Sequence, residues 1–157
     1  MSTIQTWELL SYVVTVVGFP LAIAVYILDQ RKERNNEEEE VYQLLSDNYQ
    51  EFLKIALEHP DLRLFASEIT PALTAEQHER MFIIFSMLIS LFERAYLLLY
   101  EDDMKEKQLR RWRSWEDYMG EWCSRADFRG SLSTLLRGED PEFADYIQKL
   151  AARSPAA

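Results

Sequence analysis

From Ser11 to Leu28 the chain carries no charge, and the apolar run then stops at Asp29 and the basic cluster Arg31, Lys32 and Arg34. Read as a helix from Glu8 to Leu28, the segment measures about 31 Å, which matches the roughly 30 Å hydrocarbon core of a bilayer. A cleaved export signal is the competing reading, with Ala22-Ile23-Ala24 as its small-residue site. No Lys or Arg precedes the run, and the apolar character continues through Val25-Tyr26-Ile27-Leu28, so a retained span is expected instead. Arg31, Lys32 and Arg34 belong on the cytoplasmic side, which places the N-terminus outside. Trp7, Tyr12 and Tyr26 suit the two interfacial belts.

Within the expected span Ser11, Thr15, Gly18 and Ala22 recur at spacings of four, three and four, forming a stripe of small residues on which helices approach closely. Pro20 predicts a kink, because it lacks the backbone donor and clashes with the preceding turn. Residues 1–34 thus read as an anchor with a basic flank, and residues 35–157 as a separate helical domain. Asn35-Asn36 before Glu37, Glu38, Glu39 and Glu40 predicts a helix restart with Asn36 as cap. Val41, Leu45, Tyr49, Phe52, Leu53, Ala56 and Leu57 then follow at helical spacing up to His59-Pro60.

Residues 60–73 read as a loop with one short helical turn. Thr74 and Gln77 have the spacing of a capping box, and from Met81 to Phe92 the chain is apolar on all faces. That run is too short for a second span, and Glu93-Arg94 would lie in the bilayer, so a central helix surrounded by neighbours is expected. Glu93 and Arg94 then seek polar partners elsewhere, since adjacent residues do not face each other on a helix. Trp112, Trp115, Met119 and Trp122 share one face of the next helix, which also carries Arg110, Arg111 and Arg113. The bland reading makes the tryptophans core; the functional one makes Arg110, Arg111, Arg113, Trp112 and Trp115 a patch for anionic lipid or an acidic partner. Two short helices complete the chain. One carries Phe128, Leu132, Leu135 and Leu136 and stops at Gly138; the other starts at Asp140-Pro141 and carries Phe143, Tyr146, Ile147 and Leu150.

The fold class expected is therefore all-α: an N-terminal transmembrane helix followed by a cytoplasmic bundle of four to five helices. With 4 Gly and 5 Pro in 157 residues, an all-β sandwich is disfavoured. The net charge of −10 falls entirely beyond residue 34, because residues 1–34 hold three acidic and three basic side chains. Such a surface repels phosphate backbones, and no nucleic-acid partner is expected. Cys123 is the single cysteine, so no internal disulfide forms and a reducing compartment fits.

Catalytic constellations are missing from the sequence: no glycine-rich phosphate loop, nucleophile elbow or metal motif occurs. His59 reads as a carbonyl partner at a helix end and His78 as a solvated helix residue. No enzymatic activity, cofactor or metal is expected. The order of an apolar segment, Gln30-Arg31-Lys32-Glu33-Arg34, an acidic stretch and then "RRWRSWEDYMGEWC" resembles small bacterial proteins with one span and a helical cytosolic domain. That resemblance implies a bacterial inner-membrane setting and no activity; the architecture is also similar to that of small membrane effectors of phage defence. Two functions lead, with a membrane-bound enzyme as a third option. One is a self-associating interaction or scaffold protein whose partners are the bilayer, its own copies and a protein partner. The other is a homo-oligomeric pore in which Glu37, Glu38, Glu39 and Glu40 form an acidic vestibule.

Overall fold

The computed structural model describes residues 19–66 and 72–154. Among the described residues five α-helices follow one another: α1 Phe19–Glu58, α2 Ala75–Leu99, α3 Glu106–Ser124, α4 Ala126–Leu135 and α5 Pro141–Arg153, with a 3-10 turn at Pro60–Leu62. The described residues contain no strand, and the protein is all-α. Contacts divide the chain into two units, Met1–Val41 and Tyr42–Ala157.

The described part of the first unit is helical throughout, and this corrects the expected restart at Asn36. α1 passes through Asn35-Asn36 without interruption. Neither Pro nor Gly occurs between Leu21 and Glu58. Asn costs only about 0.7 kcal/mol relative to Ala in a helix, whereas a new start carries the full nucleation cost. The surrounding Arg, Lys and Glu are good helix formers, so the helix continues through them.

In the second unit, α1 ends at Glu58 because Pro60 disfavours helical backbone at His59. It buries Leu45, Phe52 and Ala56, while Leu57, expected on the same face, is 79% exposed. The start of α2 is closed by reciprocal bonds: Gln77 N donates to Thr74 Oγ1 at 3.2 Å, and Thr74 N donates to Gln77 Oε1 at 2.9 Å. Gly138 takes φ +94° after α4, a left-handed turn open to glycine. The carboxylate of Asp140 then accepts from Glu142 N and Phe143 N, with Pro141 in the first turn of α5.

α3 packs against α2, α4 and α5 and carries the centre of the core. Trp112, Trp115, Met119 and Trp122 are all buried, as their shared face predicts. Trp122 meets Phe52 of α1 at 5.6 Å between ring centroids, Phe65 at 5.2 Å, Phe85 of α2 at 6.0 Å and Phe128 of α4 at 5.9 Å. A second aromatic group joins Tyr96 and Tyr100 to Trp112 and Tyr146.

Candidate functional site

In the first unit, every residue from Leu21 to Leu28 is exposed, including Ala22 of the small-residue stripe. Leu21, Tyr26 and Leu28 are each more than 60% exposed. Ser11, Thr15 and Gly18 lie outside the described residues. Pro20 is the second residue of α1 as described, and the turn that it would kink lies outside as well. Glu37, Glu39 and Glu40 are exposed and Glu38 is half-buried. Four consecutive helical positions are spread around the axis in steps of about 100°, so the four carboxylates do not share a face.

The second unit separates the residues of the expected basic and aromatic patch. Trp112 and Trp115 belong to the core, at 2% and 3% exposure, and cannot meet a lipid or a partner. Arg110 and Arg113 remain exposed. The guanidinium of Arg111 lies 5.0 Å from the centre of the Tyr42 ring, a cation–π position. This corrects the patch: its aromatic half faces inward because a stripe recurring every three to four residues is the stripe a bundle buries.

α2 departs from the expected fully surrounded helix. One side buries Ile84, Phe85, Leu88, Ile89 and Phe92, but the opposite side exposes Phe82, Ile83, Met87, Leu97 and Leu98. Among the described residues α2 is also the one helix long and apolar enough to cross a bilayer by length and composition. Ser86, Ser90 and Arg94 run along the exposed side, where with Met87 they border a groove of about 510 Å3 closed by Asn48, Glu51 and Ile55 of α1. No ion pair engages Arg94 among the described residues.

Glu93 finds the polar partner expected of it. Its Oε1 accepts from Asp140 N at 2.5 Å, fixing the turn before α5. Glu139 lies beside it, and burial, together with the hydrogen bond and charge of Glu93, raises the Glu139 carboxyl from 4.5 to about 7. A carboxyl raised in the folded state keeps its proton when the unfolded chain has lost it, so its contribution to stability is complete below 4.5 and disappears as pH rises through about 7. Glu139→Gln supplies a permanent donor to Glu93. It is expected to stabilise the folded chain by about 1 kcal/mol at pH 8, after discounting for solvent exposure, with no gain at pH 4. Denaturant titration followed by tryptophan fluorescence at the two pH values measures it; an equal effect at both contradicts the raised Glu139 carboxyl.

Arg125, which the sequence pattern does not mark, occupies the break between α3 and α4. Its Nη1 donates to Leu64 O at 2.6 Å and to Ala66 O at 3.0 Å, while Nε and Nη2 hold both oxygens of Asp127 at 3.1 and 2.6 Å. Arg129 similarly joins Cys123 O to Ser154 O. Both arginines act as tethers between elements. Cys123 is buried, and burial pushes its thiol up to about 12, leaving no thiolate for nucleophilic attack. The ring of His78 lies 3.0 Å from Thr74 O, and no side-chain bond caps the 3-10 turn from His59. No cluster of three metal-ligating side chains occurs among the described residues.

Each unit leaves an apolar surface uncovered: the segment from Leu21 to Leu28 in the first, and the outer face of α2 in the second. No protein-family model matches the chain, and no curated protein and no solved structure matches it either.

Proposed function

We propose that the protein is a membrane-anchored, self-associating helical interaction protein, with its N-terminus outside the bacterial inner membrane and Tyr42–Ala157 in the cytoplasm. The reading is carried by the exposure of every side chain from Leu21 to Leu28. An apolar stretch exposed on all sides of a helix has a large transfer cost in water, about 25 cal/mol for each Å² left wet, and lipid removes that cost. Helices that are hydrophobic all round are covered by protein or by membrane, and the large side chains of this segment are exposed. Arg31, Lys32 and Arg34, all exposed, follow at the end where cytoplasmic charges belong.

Self-association is supported by the second uncovered surface. Monomeric proteins rarely expose contiguous apolar patches beyond a few hundred Å², and those that do use them for contact. Sedimentation of the full chain in mild detergent tests this half of the proposal. A mass of two or more chains at micromolar concentration is expected; a monomer under those conditions contradicts it.

A further inference from the structure

The exposed side of α2 has an internal order that selects its occupant. Reading outward from Ser90, Ser86 and Arg94 stand four residues away in the two directions, Ile83 and Leu97 seven away, and Phe82 and Leu98 eight away. All lie on the side of the helix that the bundle leaves uncovered. Each apolar pair at one end is thus matched by an apolar pair at the other, with Ser86, Met87, Ser90 and Arg94 between them.

We propose that two copies of the chain pair through this face, α2 against α2 in antiparallel order, about a two-fold axis at Ser90. Such an interface is self-complementary, since every contact occurs twice. Leu97 of one copy meets Phe82 and Ile83 of the other, Ser90 meets Ser90, and the small side chains permit the close helix approach that a shallow crossing needs. From Phe82 to Leu98 the contact runs about 24 Å.

Charge selects the antiparallel order. In a parallel pair Arg94 would face Arg94. In the antiparallel pair it reaches the level of Ser86 in the other copy, at the groove that carries Glu51. Glu51 is exposed, held among the described residues by Lys54 one turn along α1 at 2.9 Å, and so accessible to a second cation. The same arginine argues against a bilayer as the occupant, because it would place a charge within hydrocarbon.

The inference rests on the self-association reading and adds the surface. Ser90→Cys places a thiol on the axis, and Cys123 is buried and contributes no background. Under mild oxidation of the full chain in detergent, the introduced thiols of two copies are expected to join in a covalent dimer. Arg94→Glu, and separately Glu51→Arg, should weaken that dimer about tenfold, and the two together should restore it. If the chain sediments as a multimer but the Ser90→Cys variant does not cross-link, the surface is wrong while self-association stands; if it sediments as a monomer, both fail. A fluorophore on the introduced thiol that is quenched by brominated lipid chains would put the face in the bilayer and overturn the proposal. Failure of the double charge exchange to restore the dimer would overturn the Arg94–Glu51 contact and with it the antiparallel order.

Discussion

Arg125→Ala is expected to destabilise the folded chain by about 3 kcal/mol, the lower end of the range for breaking a buried ion pair, because this pair is only partly buried. The guanidinium is 12% exposed and Asp127 14%, so the orphaned carboxylate gains little from water. The same substitution strips Leu64 O and Ala66 O of their donor, which releases the loop carrying Phe65 against Trp122. Arg125→Lys should recover only part of the loss, because one ammonium cannot hold both Asp127 oxygens and the two carbonyls together. The double variant Arg125→Ala with Asp127→Ala should lose less than the two single losses added, since no charge is then stranded. Denaturant titration of the detergent-solubilised protein measures all of these. A loss under about 1 kcal/mol for Arg125→Ala, the size expected of a surface ion pair, would contradict the clamp.

Trp122→Ala is expected to be at least as severe, about 3–5 kcal/mol, for a different reason. Trp122 is 2% exposed and touches rings from α1, α2, α4 and the loop after α1, so its removal leaves a cavity bounded by elements that cannot all close in. Trp122→Phe keeps the apolar body and should cost about half as much. Thermal unfolding read by circular dichroism provides the check, and a Tm for Trp122→Ala equal to that of the unmodified chain would remove Trp122 from the centre of the core.

These two residues also mark how far sequence pattern reaches. Trp122 was legible because its periodicity with Trp112, Trp115 and Met119 is local, as were Thr74 with Gln77, Gly138, and Asp140 with Pro141, where cap and partner lie within three residues. Arg125 was not legible. Its carbonyl partners stand about sixty positions away, and nothing near it in sequence distinguishes it from a solvated arginine. Glu139 escaped for the same reason, since only the fold brings it to Glu93. Asn36 misled, because an asparagine three residues before a glutamate caps a helix at its start and is merely tolerated within one, and the pattern does not separate the two. α2 shows a further limit. A helix apolar on all sides must be covered, but periodicity does not say whether the cover is the same chain, another copy or lipid. The exposed side of α2 turns that ambiguity into the surface proposed here for pairing.

The anchor is the claim on which the rest depends, and fractionation of cells making the full chain tests it most directly. After lysis without detergent the protein should sediment with membranes and stay there through an alkaline carbonate wash. A companion chain with Val16→Lys and Val17→Lys should be released, each lysine costing about 3 kcal/mol at the centre of the proposed span. Recovery of the unmodified chain in the soluble fraction, as a dispersed and folded protein, would contradict the account.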